Sequence, residues 1–200
     1  MATESITIGI VIFPQVEELD FVGPYEVFAG LFSGNGGGRA LLIAERDEPV
    51  DCAKGMRVLP HATFETAPHL DVLLVPGGQG TRSEVDNPTL IDFLKKAGDA
   101  ATWVTSVCTG ALLLHEAGFA KGKRVTTYHG FVEALRARGD IQVLEGPRYV
   151  RDGNLVTSAG VSAGIDMALW LVGQLYTPAV ARQVQRGIQY DPAPPYQAEV

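Results

Sequence analysis

Residues 102–117 have the sequence TWVTSVCTGALLLHEA, in which a β-branched run passes into a helical pattern at Cys108. The first six residues lack helical spacing and predict a buried strand, and the apolar residues after Gly110 predict a helix. A strand joined directly to a helix, both mostly apolar, is typical of a parallel sheet that is covered on both faces. This stretch therefore predicts an α/β fold, a three-layer sandwich with a mostly parallel sheet and helices on both faces.

The rest of the chain repeats this alternation of strands and helices. We predict further strands at residues 5–13, 39–45, 56–60, 71–75, 124–127, 142–144, 149–151 and 155–157. Further helices are predicted at residues 24–31, from residue 88, and at 131–138, 162–176 and 178–185. We expect Asn87 to cap the second of these helices, Pro24 to break the helical pattern before the first, and the glycine-rich residues 33–38 to form a surface loop. Residues 1–200 are predicted to form a single domain.

The composition excludes several classes of protein. Apolar residues make up 46% of the chain and charged residues 20%, which is typical of a folded globular protein. The chain has 16 Lys and Arg against 23 Asp and Glu, a net charge of −7, whereas phosphate binding needs clustered positive charge. We therefore expect no nucleic-acid partner. No apolar run reaches the roughly 18 residues of a membrane span, so no membrane partner is expected.

Two further features predict a cytoplasmic protein. The first basic residue is Arg39, so the sequence does not begin with the charged segment of a signal peptide. The two cysteines, Cys52 and Cys108, are too few and too far apart for a disulfide framework or a zinc cluster. We expect no metal or organic cofactor, and free thiols in a reducing compartment.

Cys108 is the strongest candidate for a catalytic residue. Ligand sites in open parallel sheets form outside the carboxyl ends of the strands, and Cys108 stands on the turn after such a strand. A nucleophile on a strand-to-helix turn projects from the backbone, and the N-terminus of the helix stabilises its thiolate. Gly110 lets the turn be tight. The competing interpretation is an inert core cysteine, but the position on the turn favours catalysis.

Two other strand ends carry residues suited to the same site. Gly77 and Gly78 follow a predicted strand, and backbone N–H groups that converge there could form an oxyanion hole. Asp20 follows the first strand and stands among apolar residues such as Leu19 and Phe21. Burial would raise the pKa of its carboxyl group, which suits Asp20 to deliver a proton to a thiolate or to a substrate.

The histidines and the second cysteine carry a weaker signal. His129 follows a strand end and is the histidine best placed to partner a cysteine nucleophile. His115 lies nearly two helical turns beyond Cys108, so we expect it on the surface. Cys52 has no base near it in the sequence and is expected to be incidental.

Several motifs together resemble the ThiJ/PfpI superfamily. They are the Pro-Gly-Gly after a strand, the strand–Cys–helix turn, the Thr126-Thr127 pair and the sequence SAGVSAGID at residues 158–166. Two more motifs, LDFVGPYEVF at residues 19–28 and IQYDPAPP at residues 188–195, resemble the isonitrile hydratases and their close relatives. The resemblance spans essentially the whole chain and implies a flavodoxin-like fold similar to class I glutamine amidotransferase domains.

The resemblance also implies roles for individual residues. Cys108 matches the nucleophile of the family, and Asp20 matches the acid beside it in isonitrile hydratases. Thr109 matches the residue whose backbone N–H faces the site, and Gly77 and Gly78 match the oxyanion-hole backbone.

One position departs from the pattern of many relatives. Tyr128 stands where they have a histidine after the two threonines, and His129 comes one residue later. This departure disfavours a Cys–His dyad and favours a mechanism that uses Cys108 and Asp20. Tyr128 and His129 are then expected to line the substrate site.

The resemblance implies a cysteine-dependent, cofactor-free lyase that acts on a small molecule and forms a homodimer. The implied reaction hydrates an isonitrile to an N-substituted formamide through a thioimidate on Cys108. Two alternatives stay open, namely a different thiol chemistry such as glyoxalase-like hydration of 2-oxoaldehydes, and a non-enzymatic ligand- or redox-sensing domain in which Cys108 is oxidised.

Overall fold

Strands and helices alternate along the computed structural model, which describes residues 5–35 and 37–192. The strands are β1 (Ile6–Val11), β2 (Gly38–Ala44), β3 (Val50–Asp51), β4 (Arg57–Val58), β5 (Ala62–Thr63), β6 (Val72–Val75), β7 (Trp103–Val107), β8 (Arg124–Val125), β9 (Gln142–Val143), β10 (Tyr149–Asp152) and β11 (Leu155–Ser158). The helices are α1 (Glu18–Asn35), α2 (Thr81–Glu84), α3 (Pro88–Ala100), α4 (Gly110–Glu116), α5 (Val132–Arg136), α6 (Ala163–Leu175) and α7 (Pro178–Gly187). A short 3-10 helix, His129–Phe131, precedes α5.

The central sheet has seven strands in the order β10-β11-β7-β6-β1-β2-β5. Six of these strands are parallel, and the edge strand β10 is antiparallel to β11. The middle strands are nearly continuous apolar runs; all four residues of β6, for example, are buried. The carboxyl ends of β1, β6, β7 and β11 meet at one edge of the sheet, and this edge carries the candidate site.

Helices cover both faces of the sheet, so the predicted three-layer α/β sandwich is confirmed. Helices α1, α6 and α7 pack on one another, and α3 and α4 pack together against β6 and its neighbour. No helix within the described residues is both long enough and apolar enough to cross a membrane.

Helix α3 begins with the predicted cap. The Asn87 side chain accepts hydrogen bonds from the N–H groups of Thr89 (3.1 Å) and Leu90 (3.4 Å). Pro88 occupies the first helical position, where an N–H would have no partner inside the helix.

Two predictions about α1 are wrong. The helix runs unbroken through Pro24, although a proline inside a helix removes a backbone hydrogen bond. Pro24 is buried where α1 packs on α6 near Gly164, and this burial offsets the missing hydrogen bond. The helix also continues to Asn35 and β2 begins at Gly38, so regular structure takes up most of the predicted glycine-rich loop.

Removal of the Asn87 cap should destabilise the protein measurably. We expect Asn87→Ala to lower the free energy of unfolding by about 1 kcal/mol, because two N–H groups at the start of α3 lose their acceptor. Urea denaturation at neutral pH measures this loss. Asn154→Ala, in the exposed turn between β10 and β11, removes the same side chain and should change stability by less than about 0.5 kcal/mol. Equal losses for the two variants would contradict the capping role.

Candidate active site

Cys108 lies on a sharp turn between β7 and α4, as the sequence predicts. Its φ of 57° lies in the left-handed region, which is uncommon for a residue with a side chain. Its backbone N–H lies 3.1 Å from the carbonyl oxygens of both Ser158 and Ala159, at the end of β11. The hydroxyl of Thr127 donates to the carbonyl oxygen of Cys108 at 2.7 Å. The neighbouring strand and loop therefore hold this strained backbone in place.

Two glycines allow the segments around Cys108 to approach one another closely. A β-carbon on Gly110 would collide with the carbonyl oxygen of Val75 at the end of β6. A β-carbon on Gly77 would lie 2.6 Å from the hydroxyl oxygen of Thr109 and 2.9 Å from the Oδ2 atom of Asp20. Both positions therefore require glycine because the neighbouring atoms fill the space that a side chain would take.

Asp20 lies near enough to the Cys108 thiol for each group to influence the pKa of the other. It sits in the first turn of α1 and is fully buried. Its Oδ2 atom accepts a hydrogen bond of 2.8 Å from the N–H of Gly77. Burial raises the pKa of Asp20 to about 7, and the charge of Glu17 adds to this rise, whereas the Gly77 N–H opposes it. The predicted rise in the pKa of this carboxyl is confirmed.

The Cys108 thiol is more basic than the sequence suggests. Burial, followed by the negative charge of Asp20, raises the pKa of Cys108 to about 12. The N–H groups of Thr109 and Val161 act in the opposite direction but more weakly. The start of α4 does stabilise the thiolate, as expected, but burial and the Asp20 charge outweigh this effect. With Asp20 ionised, the sulfur keeps its proton, so the two side chains share one ionisable proton.

Val161 is a site residue that the sequence analysis missed. Its backbone N–H faces the Cys108 sulfur, and its φ of 52° is strained for a β-branched residue. It follows β11, the strand that pairs with β7, so the order of strands brings it to the nucleophile. The available signal was its position near the carboxyl end of a predicted strand, within a motif that we used only for the resemblance.

The predicted oxyanion hole requires correction. The Gly77 N–H is bonded to Asp20, and the Gly78 N–H lies 3.1 Å from the hydroxyl oxygen of Thr109. Both glycine N–H groups therefore hold site side chains in place rather than point to an open position. The N–H groups that face the sulfur belong to Thr109 and Val161.

Tyr128 and His129 line a cavity of about 330 Å³ whose wall also includes Thr127 and Val161. Their rings lie 4.3 Å apart, and the Tyr128 ring packs against the backbone of Gly160. Within the described residues, His129 makes no hydrogen bond to the Cys108 thiol, so the two do not form a dyad. The cavity shares Thr127 and Val161 with the surroundings of Cys108, but Cys108 and Asp20 do not line it.

His115 is buried, not exposed as predicted. Its Nε2 atom lies 2.6 Å from Asp140 in the loop after α5, and only 7% of its side chain is exposed. Helix α4 buries this face, with Leu112, Leu113 and Leu114 buried beside His115. Cys52 is also buried, and burial raises the pKa of its thiol to about 11.

The remaining predicted features lie away from Cys108 or outside the described residues. Tyr190 donates a hydrogen bond of 3.0 Å to Asp166 of α6, but residues 193–195 of the C-terminal motif lie outside the described residues. In the part of the chain that the structure describes, no three His, Cys, Asp or Glu side chains are grouped to hold a metal ion.

The raised pKa of Asp20 should make stability depend on pH. Between pH 3.8 and about 7 the folded state keeps the Asp20 proton and the unfolded state does not, so stability falls as pH rises, at most by about 1.4 kcal/mol per pH unit. Asp20→Asn has no ionisable group at this position and lacks this loss. The difference in free energy of unfolding between the variant and the wild type should therefore increase in favour of the variant as the pH rises from 3.8 to about 7, and stay constant at higher pH. Urea denaturation at about pH 5 and about pH 8 measures the difference.

Asp99→Asn makes the same chemical change on the exposed surface of α3 and serves as the control for that experiment. Parallel pH dependences for wild type and Asp20→Asn would contradict the burial of an ionisable Asp20.

Loss of the Asp20 charge should also lower the pKa of Cys108, because the thiolate no longer faces a buried anion. The pH profile of alkylation by iodoacetamide, followed by intact mass, measures this pKa. Both proteins should carry Cys52→Ala so that Cys108 alone reacts. The midpoint for Asp20→Asn should lie at lower pH than in the parent protein, and coincident profiles would show that Asp20 does not act on the sulfur.

Comparisons with known proteins place the chain among relatives of one family. The DJ-1/PfpI family model matches residues 6–174. The chain is 41% identical over 192 residues to isonitrile hydratase of Pseudomonas putida, covering 96% of this chain and 82% of that protein. It is 30% identical over 183 residues to the Parkinson disease protein 7 homolog of Danio rerio, covering 88% and 93% of the two chains.

Among solved structures, a ThiJ/PfpI family protein from Pseudomonas syringae superimposes with a TM-score of 0.89 at 35% identity, covering all of this chain and 81% of the other. The match of the family model and the shared fold together lead to one conclusion: the chain belongs to the DJ-1/PfpI family.

Proposed function

We propose that this protein is an isonitrile hydratase, a lyase that adds water to an isonitrile and releases an N-substituted formamide. The observation that carries the proposal is the buried pair formed by the Cys108 thiol and the Asp20 carboxyl. The reaction needs a nucleophile for the terminal carbon and a proton for the same carbon, and this pair supplies both. The isonitrile hydratase from Pseudomonas putida, 41% identical, supports the same assignment.

The first step forms a bond between sulfur and carbon. Asp20 takes the thiol proton, and the Cys108 sulfur adds to the electrophilic terminal carbon of the isonitrile. Asp20 then returns the proton to that carbon, which gives a neutral thioimidate. The pKa of about 7 for Asp20 leaves part of the carboxyl groups ionised near neutral pH, so they can accept a proton. Because the Cys108 sulfur is the stronger base, this transfer is uphill, and formation of the sulfur–carbon bond in the same step has to drive it.

The second step consumes water and restores the enzyme. Water adds its oxygen to the thioimidate carbon and a proton to the nitrogen, which gives a tetrahedral adduct. The carbon–sulfur bond then breaks, the hydroxyl proton passes to the sulfur, and the formamide leaves. The thiol proton is recovered, so the net change is the addition of one water molecule.

Backbone N–H groups stabilise the charge that develops in these steps. The N–H groups of Thr109 and Val161 already face the sulfur, so they can stabilise the thiolate when Asp20 removes the proton. Donors of this kind contribute about 3 kcal/mol each in other enzymes. Because the turn and the loop after β11 fix both groups in advance, the reaction needs little reorganisation.

The same geometry disfavours the two alternative functions. Redox sensing relies on a standing thiolate that attacks peroxide, whereas the proposed addition needs the thiolate only in the step in which Asp20 takes the thiol proton, so the raised pKa of Cys108 disfavours sensing more than hydration. A glyoxalase-like reaction needs a base for a carbon-bound proton, and His129, the predicted candidate, makes no hydrogen bond to Cys108 within the described residues; its ring lies 4.3 Å from that of Tyr128, tilted by 54°.

We also propose that two copies of the chain associate. The exposed large apolar side chains within the described residues are Leu19, Met56 and Leu59. Glu18 accepts hydrogen bonds from the N–H groups of Lys54 (2.7 Å) and Met56 (3.3 Å), which joins the β3–β4 hairpin to the start of α1. The three apolar side chains therefore belong to adjoining segments next to the site, and a second copy would cover them.

We further propose a cytoplasmic location, because both cysteines are free thiols, which a reducing compartment maintains.

The reaction can be tested with a small aryl isonitrile. Wild-type protein should produce the corresponding formamide, measured by chromatography, and Cys108→Ala should produce none, because no other nucleophile is present at the turn. Cys52→Ala removes the other buried cysteine and should keep the wild-type rate. Asp20→Asn keeps the shape but loses the proton carrier, so a rate lower by about 10²- to 10⁴-fold is expected.

Several outcomes would overturn the assignment. A lack of turnover with several isonitriles would refute the hydratase reaction. Turnover that persists in Cys108→Ala would refute the nucleophile, and an unchanged rate in Asp20→Asn would remove Asp20 from the mechanism.

A further inference from the structure

Arg82 lies beside the residue that follows the nucleophile and has no carboxylate partner in the described part of the chain. Its Nη1 atom lies 2.8 Å from the carbonyl oxygen of Gly78, 3.1 Å from the Thr81 hydroxyl and 3.3 Å from the Thr109 hydroxyl. These contacts are with neutral oxygens. A guanidinium is always charged at neutral pH, so the contacts hold Arg82 in place but leave its charge uncompensated.

The guanidinium group spans two segments that flank the Cys108 turn. Arg82 belongs to α2, which follows β6, and its guanidinium group contacts the Thr109 hydroxyl. The same group lies 4.6 Å from the centre of the Phe131 ring, in the 3-10 helix after β8. The second segment follows Thr127, whose hydroxyl binds the Cys108 carbonyl. Arg82 therefore lies at the rim of the site and is fixed by a cation–π contact as well as by hydrogen bonds.

The free part of the guanidinium suits an anionic ligand. Within residues 5–35 and 37–192, every hydrogen bond of the Arg82 guanidinium group is made by Nη1. The N–H groups of Nε and Nη2 are therefore available to a ligand, and the Arg82 side chain is exposed. These two nitrogens form the fork that binds a carboxylate through two parallel hydrogen bonds.

The surroundings of Arg82 would otherwise repel an anion. The net charge of the chain is −7, and Asp20 and Glu17 lie at the same edge of the sheet. Lys54, a cation near Asp20, forms an ion pair with Glu17. A preference for anionic substrates would therefore depend on Arg82 itself rather than on a general positive field.

We propose that Arg82 binds a carboxylate of the substrate and that this protein acts on small electrophiles that carry such a group close to the reacting carbon. The inference deepens the proposed function, which supplies the reaction at Cys108. For an isonitrile hydratase, the substrate class is that of isonitriles that bear a carboxylate. Arg82 is then a residue that determines specificity, since it contacts the substrate but not the reacting atoms.

Alkylation of Cys108 tests the proposal without any turnover. The Cys108 sulfur displaces iodide from both iodoacetate and iodoacetamide, and the first carries a carboxylate where the second carries an amide, so the ratio of their rate constants reports recognition of the carboxylate. In a Cys52→Ala background, Arg82→Gln should lower the iodoacetate-to-iodoacetamide ratio by about three- to fivefold, the range of an exposed ion pair. Arg82→Lys keeps the charge without the fork and should give an intermediate ratio.

Arg182→Gln is the matched control because it removes the same charge from an exposed position on α7. Its ratio should equal that of the parent protein. A merely structural role of Arg82 would change both rate constants together and leave the ratio unchanged, and this result would overturn the proposal. An equal fall in both variants would point to the overall charge and would overturn it as well.

A second measurement uses isocyanoacetate and its methyl ester. The ratio of their kcat/KM values should fall about three- to fivefold in Arg82→Gln and stay constant in Arg182→Gln. If neither compound is hydrated, the proposed reaction fails, yet the alkylation ratio still decides whether Arg82 recognises a carboxylate. Turnover with an unchanged ratio would refute the role of Arg82 while leaving the hydratase reaction intact.

Discussion

One ionisable proton is shared by two buried acids, Asp20 and Cys108, and the rest of the site is arranged around this constraint. Two negative charges at such a distance in a dry environment repel strongly, so the pair cannot lose both protons near neutral pH. The Gly77 N–H stabilises the charge when it resides on the carboxylate, and the N–H groups of Thr109 and Val161 stabilise it on the sulfur. The charge therefore resides on the carboxylate in the resting pair, and the two N–H groups that face the sulfur lower the cost of placing it there.

This arrangement depends on how closely the backbone segments approach one another at the edge of the sheet. Asp20 comes from the start of α1, Gly77 from the end of β6 and Cys108 from the end of β7, and the strand order places these ends side by side. A side chain at Gly77 or Gly110 would separate the segments, and the carboxyl would then lose contact with the thiol. The parallel sheet thus acts on the chemistry by fixing the backbone positions from which these side chains project.

The sequence predicted the features that depend on local patterns. Apolar runs indicated the strands, Asn87 and Pro88 marked a helix start, and the step from strand to helix identified Cys108. It could not predict features that depend on contacts between distant residues. The direction of the Gly77 N–H depends on a carboxyl 57 residues away, and the burial of His115 depends on Asp140. The same limit applies to Arg82, which carries no local signal for its contact with Thr109, and to the contact of Val161 with Cys108, of which the sequence indicated only a position near a strand end.

The site costs the fold stability, and the central sheet offsets this cost. Cys108 and Val161 have strained backbone conformations, and the buried carboxyl of Asp20 opposes folding once it is ionised. Strand β6, which is buried on both faces, lies between β1 and β7 and supplies the apolar contacts that hold these groups together. An Asp20→Asn protein would thus be more stable and less active for the same reason, because the proton that the reaction uses is the one that burial keeps on the carboxyl.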